Sequence, residues 1–178
     1  MSNYDIDYIK SKVSTVPDFP KKGIIFRDMF PVFRDPLAVE MLIGHMVHRL
    51  ASTSKNKIDV VVGLDARGFL FGPLIALRLG AAFVPVRKSG KLCGDTFRVE
   101  YALEYGTDAF EIQKGAIQPG QNVVIVDDLI ATGGSAFAAG ELVVQAQANV
   151  NSFLFVMELV DLEGRDKLQA PVYSVLQY

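Results

Sequence analysis

The chain has 178 residues, half of them apolar, which is enough for one domain around a single sizeable core and therefore for one active site. A formal net charge of −2 and a pI near 5.7 favour neither a nucleic-acid backbone nor an anionic membrane as partner, so any phosphate chemistry must come from local features. No stretch approaches the roughly 20 apolar residues of a membrane span, the opening MSNYDIDYIK lacks the apolar centre of a signal peptide, and the single Cys93 can make neither an intramolecular disulfide nor a cysteine metal cluster; a cytoplasmic protein is expected.

A first helix is expected over about Asp5 to Ser14. The following segment, Thr15 to Arg34, carries Pro17, Pro20, Pro31 and Gly23 and reads as largely irregular, with residues 24–26 as a short extended piece. From Pro36 to Ala51 the residues Leu37, Met41, Leu42, Val47 and Leu50 recur near helical spacing, and IDVVVGL (58–64) is a β-branched run suited to a buried strand. Phe69 to Leu79 has helical periodicity, 82–86 reads as a strand, 122–128 as another, Gly134 to Ala148 as a helix, and 152–159 as a closing strand. Continuous apolar strands alternating with helices predict an α/β fold: an open parallel sheet covered on both faces, with ligands beyond the carboxyl ends of the strands. No repeat or linker divides the chain, so one domain is predicted over 1–178.

The segment VVIVDDLIATGGS (123–135) carries the most chemistry. A buried strand ends in two acids, and a loop of small residues leads into a helix whose N-terminus supplies backbone N–H donors and partial positive charge. A terminal monophosphate suits Thr132, Gly133, Gly134 and Ser135, while Asp127 and Asp128 can accept hydrogen bonds from a neighbouring diol; a ribose 5-phosphate satisfies both halves. The Walker lysine and the GxGxxG pattern are absent, which disfavours nucleoside triphosphates and NAD. Either half alone is an ordinary strand end or helix cap; together they are not.

This combination resembles the signature of the type I phosphoribosyltransferases. The resemblance implies a five-stranded parallel core, ribose 2′ and 3′ hydroxyls held by Asp127 and Asp128, and a 5′-phosphate cradled by Ala131 to Ser135. GLDARGF (63–69) places Arg67 at the end of a buried strand, where a guanidinium can grip pyrophosphate bidentately, and RKSGKL (87–92) adds Arg87, Lys88 and Lys91. Both loops match pyrophosphate-contacting segments of the family, although Ala66 and Cys93 stand where relatives carry Ser and Pro.

Magnesium is the expected cofactor, because pyrophosphate leaves poorly without charge neutralisation, and the family holds it mainly through substrate oxygens and water rather than a dedicated protein cage. His45 and His48 lie three apart on a helix with no third ligand near, so they read as packing or surface residues rather than a zinc site. The polar, aromatic-rich stretch 91–114 reads as a two-strand excursion outside the core that could close as a lid and exclude water from a cationic reaction centre. Within it LEYG (103–106) matches the family's lid motif, which implies Glu104 as general acid/base toward the purine and Tyr105 as a lid contact.

FPKKGIIFRD (19–28) is similar to the adenine-specific branch of the family, in which a hood, here about 1–34, covers the base. That similarity implies Phe26 stacking on the purine, the backbone of Ile25 and Arg27 reading its edge, and Leu159 packing on the opposite face, an arrangement able to select a 6-amino over a 6-oxo group. The implied reaction joins adenine to phosphoribosyl pyrophosphate, giving AMP and pyrophosphate, in a homodimer. Two alternatives stand beside it: a phosphoribosyltransferase for another base, such as hypoxanthine, xanthine or orotate, and a non-catalytic phosphoribosyl-pyrophosphate sensor, which would ordinarily carry an added basic nucleic-acid-binding domain.

Overall fold

The computed structural model describes residues 3–103 and 106–178. Nine strands and four α-helices are assigned among them. They are α1 (Asn3–Lys12), β1 (Ser14–Pro17), β2 (Ile25–Asp28), α2 (Pro36–Thr53), β3 (Val60–Leu64), α3 (Gly72–Leu79), β4 (Ala82–Lys88), β5 (Thr96–Leu103), β6 (Gly106–Gln113), β7 (Asn122–Ile130), α4 (Gly134–Gln145), β8 (Asn149–Glu158) and β9 (Val172–Gln177). The central sheet has the order β5-β6-β4-β3-β7-β8-β9. The five strands from β4 to β9 run parallel, and β6 joins β4 antiparallel with β5 as its hairpin partner.

Alternation along each parallel strand explains why the sequence shows unbroken apolar runs. Val60, Val62, Val123, Ile125, Phe153 and Phe155 point to one face, packed with Ala138, Ala139 and Leu142 of α4. Val61, Val124, Val126, Leu154 and Val156 point to the other, packed with Ile9 of α1, Leu42, Ile43 and Met46 of α2 and Ile75 of α3. Both faces are dry, so both sets of side chains are apolar. Asp35 caps α2, its carboxylate accepting from the N–H groups of Leu37 and Ala38, and Pro36 occupies the first turn where no N–H is needed. The buried stripe of α2 is Ala38, Leu42, Ile43, Met46 and Leu50, whereas Leu37 is exposed.

Four sequence expectations need adjustment. The segment 15–34 is not largely irregular: β1 and β2 form an antiparallel ribbon pairing Ser14 with Asp28 through Pro17 with Ile25, and Phe30–Arg34 is a 3₁₀ turn. These short strands show no alternation because the ribbon has no apolar layer of its own to satisfy. The excursion after Lys91 is a hairpin, as expected, yet Tyr101, Phe110 and Ile112 are buried in the same cluster as Val60 and Val62. Strand β4 extends through Arg87 and Lys88 because β6 pairs with both, and β7 extends to Ile130 because β8 pairs with it beyond the end of β3. The fifth parallel strand implied by the resemblance is β9, a sheet edge that the sequence pattern did not mark.

Candidate active site

The carboxyl ends of β3, β4 and β7 bring the polar residues together. Pairing between β3 and β7 stops at Gly63 and Val126, while β7 continues beside β8, so Asp127 and Asp128 lie within a strand but past its neighbour's end. The loop after β3 turns across that opening. Gly68 permits the approach: a Cβ there would lie 2.6 Å from the Val126 carbonyl oxygen and 3.3 Å from a carboxylate oxygen of Asp127. Arg67, carried by the same turn, donates from Nε to Asp128 in a tight ion pair; the Asp128 side chain is 5% exposed and that of Arg67 44%. The sequence assigned Arg67 to pyrophosphate and Asp128 to ribose, and the fold joins them.

Burial pushes the Asp127 carboxyl well above the usual carboxylate range, and the neighbouring charge of Asp128 adds to it, against the opposing pull of Arg67 and the N–H of Asp128. Burial works against the Arg67 charge, but the Asp128 carboxylate outweighs it and holds the guanidinium protonated. Asp28, at the end of β2, adds a weaker attraction to Arg67, which places the N-terminal ribbon beside this cluster.

The two cations at the end of β4 are likewise paired. Arg87 donates from Nε to Asp65 at 3.1 Å and from Nη1 to the Lys91 carbonyl at 3.2 Å, and Lys88 lies 3.1 Å from Asp108. Asp108 also accepts from the Tyr101 hydroxyl at 3.3 Å. The backbone N–H of Ala109, then Lys88, hold the Asp108 carboxyl below its ordinary range. Burial, then the charge of Asp108, push the Tyr101 hydroxyl up to about 12, against an opposing pull from Ser135 of the 131–135 loop. Neither Asp65, Asp108 nor Tyr101 stood out in the sequence, since their relevance depends on strands that meet only in the folded chain.

At the 131–135 loop, Gly133 has φ of +80° and serves as the N-cap of α4 with no side-chain cap, so the first N–H groups of the helix are left for an anion. The loop is set from behind by Gly164: a Cβ on Gly164 would lie 2.1 Å from the Ala131 carbonyl oxygen, and one on Gly133 would lie 2.3 Å from the Gly164 carbonyl oxygen. Buried Glu158 organises that support. It receives both Nε and Nη2 of Arg165 at 2.5 Å, the Ser174 hydroxyl at 2.6 Å and Gln177 Nε2 at 3.3 Å. These donors, Arg165 foremost, lower the Glu158 carboxyl.

The expected base-binding residues occupy two elements. Ile25, Phe26 and Arg27 lie on β2, where Ile25 is exposed and the Phe26 ring meets Phe19 edge-on at 5.1 Å between centroids. Leu159 follows β8, its N–H donating to Ile130 at 3.0 Å. Tyr178 joins the two regions: its ring packs under the Arg27 guanidinium at 4.3 Å, and its backbone pairs with Glu158 and Val160. Glu104 and Tyr105 lie outside the described residues. Among the described residues no three His, Cys, Asp or Glu side chains converge as a metal cage. His45 Nδ1 is buried without a hydrogen-bond partner.

A strand-end acid pair, an uncapped glycine loop and a basic cluster lie on the carboxyl edge of a parallel sheet, a combination whose chemistry suits a phosphorylated sugar. The phosphoribosyl transferase domain model matches residues 34–177, and the chain belongs to that family of enzymes, which transfer a phosphoribosyl group. Within it the chain falls among the adenine phosphoribosyltransferases. It is similar to the adenine phosphoribosyltransferase of Yarrowia lipolytica, 55% identical over 169 residues covering 94% of this chain and 93% of the relative, and to that of Homo sapiens, 46% identical with 100% and 99% covered. The crystal structure of the Saccharomyces cerevisiae enzyme, complexed with an imino-altritol bisphosphate and adenine, superposes with a TM-score of 0.94 at 52% identity, covering 98% of this chain and all of that one.

Proposed function

We propose that this chain catalyses adenine phosphoribosylation, forming AMP and pyrophosphate from adenine and phosphoribosyl pyrophosphate in purine salvage. The observation that supports the reading is the tight Arg67–Asp128 ion pair beside Asp127, on the strand that leads into the uncapped loop 131–135, because acids and a guanidinium next to such a loop suit a ribose flanked by phosphate groups. Asp127 and Asp128 hold the ribose hydroxyls, and a diol donating to Asp127 favours its charged form and draws its carboxyl back down. Ala131, Thr132, Gly133, Gly134 and Ser135 hold the 5′-phosphate. Arg67, Arg87, Lys88 and Lys91 receive the pyrophosphate, exchanging Asp128, Asp65 and Asp108 for substrate oxygens.

Adenine lies between Phe26 and Leu159 with the backbone of Ile25 and Arg27 at its edge. N9 attacks C1′, the bond from C1′ to the pyrophosphate oxygen breaks, and Glu104 accepts the N9 proton. Tyr105 closes over the phosphoribosyl group. Magnesium, held mainly through substrate oxygens and water, would supply charge neutralisation for the departing pyrophosphate. The chain works as one domain over 1–178, with residues 1–34 as a hood and 91–114 as a lid that excludes water.

A homodimer is supported by the exposed Leu70, Leu74 and Leu77 on and before α3, the last 80% exposed. A cytoplasmic setting agrees with the free, exposed Cys93, and among the described residues no helix is long and apolar enough to cross a membrane.

Purified protein with phosphoribosyl pyrophosphate and magnesium is offered adenine, hypoxanthine, guanine, xanthine and orotate separately, with Glu104→Ala alongside. AMP from adenine alone, sharply slowed in the variant, is expected. Turnover of another base would overturn the base assignment, and no turnover with intact phosphoribosyl-pyrophosphate binding would favour a sensor.

A further inference from the structure

Resting on the adenine reading above, we propose that Tyr178 is a positioning residue that sets the width and register of the base subsite. It bridges the β2 ribbon and the Leu159 segment. On one side its half-buried ring lies 4.3 Å under the Arg27 guanidinium, with Lys10 Nζ 5.5 Å from the same centroid. On the other its N–H donates to the Glu158 carbonyl at 2.9 Å and its carbonyl accepts from Val160 at 3.0 Å, so Tyr178 brackets Leu159 from both neighbours. The N–H of Leu159 is itself held by Ile130, at the end of the strand that carries the acid pair.

The opposite wall is anchored at its end by Met29, buried in the core cluster with Ile9 and Leu42. Strand β2 pairs only with β1 in a two-stranded sheet separate from the central one, so contacts beyond its own ribbon must set its distance from β8. Arg27 supplies one: its Nη1 donates to Thr15 Oγ1 at 2.6 Å across the ribbon, and its guanidinium plane rests on Tyr178. The side chain of Arg27 is thereby committed to scaffolding, which leaves its backbone to face the base. The attraction depends on the aromatic face rather than the hydroxyl, since the cation sits over the ring.

A packing role and a positioning role differ in what they disturb. Loss of packing lowers the melting temperature and leaves the two Michaelis constants in proportion; loss of register weakens adenine while the phosphoribosyl side, built on the central sheet, is untouched. Steady-state kinetics with each substrate varied in turn separates them. Tyr178→Ala is expected to raise the adenine KM about 10-fold, equivalent to about 1.4 kcal/mol, with the phosphoribosyl-pyrophosphate KM unmoved and hypoxanthine discriminated less sharply. Tyr178→Phe, which keeps the ring, restores the adenine KM, and Arg27→Met reproduces the Ala effect from the ribbon side should Tyr178→Ala fail to fold.

Equal rises in both constants, or an unchanged adenine KM in folded Tyr178→Ala and Arg27→Met, would overturn the proposal while leaving adenine turnover by the unmodified chain intact. Failure of the unmodified chain to turn over adenine would instead remove the reading on which the proposal stands, and the proposal with it.

Discussion

Gly164→Ala tests whether the phosphate loop takes its shape from the turn behind it. The added Cβ would stand 2.1 Å from the Ala131 carbonyl oxygen and 2.8 Å from the Gly133 nitrogen, both backbone atoms that cannot rotate away. Reaching an ordinary contact of about 3.4 Å requires the loop or the turn to withdraw by more than 1 Å. The turn is the less able to yield, because Arg165 beside it is tied to buried Glu158 by two hydrogen bonds of 2.5 Å. The loop therefore moves, taking its N–H groups out of line with a 5′-phosphate. A misplacement of about 1 Å can cost on the order of 100-fold in turnover, while overpacking of this kind costs about 1–3 kcal/mol of stability. Steady-state kinetics against phosphoribosyl pyrophosphate, with calorimetric binding of ribose 5-phosphate, reads the effect directly. A folded Gly164→Ala protein with unaltered kcat/KM for phosphoribosyl pyrophosphate and unaltered ribose 5-phosphate affinity would refute the reasoning.

Gly68→Ala, with a Cβ 2.6 Å from the Val126 carbonyl oxygen, should lift the Arg67 turn off β7 and raise the phosphoribosyl-pyrophosphate KM more than the adenine KM, measured in the same assay. Glu158 has its carboxyl lowered from an ordinary 4.5 by Arg165, Ser174 and Gln177, so its contribution to stability is present above that value and lost as pH falls through the lower folded value. Urea unfolding between neutral and acid pH should therefore show a steeper acid loss in the unmodified protein than in Glu158→Gln; parallel curves would contradict the assignment. Leu77→Glu, on a leucine 80% exposed, should convert the proposed dimer to monomer in sedimentation velocity without lowering thermal stability, and an unchanged sedimentation coefficient would exclude α3 from such an interface.

The parts of the fold readable in the sequence are those where local pattern and environment agree. The runs 60–64, 123–126 and 153–157 are apolar throughout because both faces of the parallel sheet are buried, and TGGS after an acid pair declares a loop and a helix start in a few residues. The edge strand β9 escaped notice because its residues are mostly half-buried and VYSVLQ gives no strong period. The β1–β2 ribbon escaped because two strands of four residues, mostly exposed, have no apolar face to display.

For the candidate site, the sequence by itself determined the chemistry available: which acids, cations and glycines stand at strand ends, and the parallel order that brings those ends to one edge. Tertiary structure alone decided the partnerships. Arg67 lies on Asp128, Arg87 on Asp65 and Lys88 on Asp108, while Gly164 backs the 131–135 loop and Tyr178 spans β2 and Leu159. Each joins segments far apart in the chain through a contact a few ångströms across, and neither periodicity nor spacing encodes which distant residue will fill such a gap; only the packing of the sheet and its loops does.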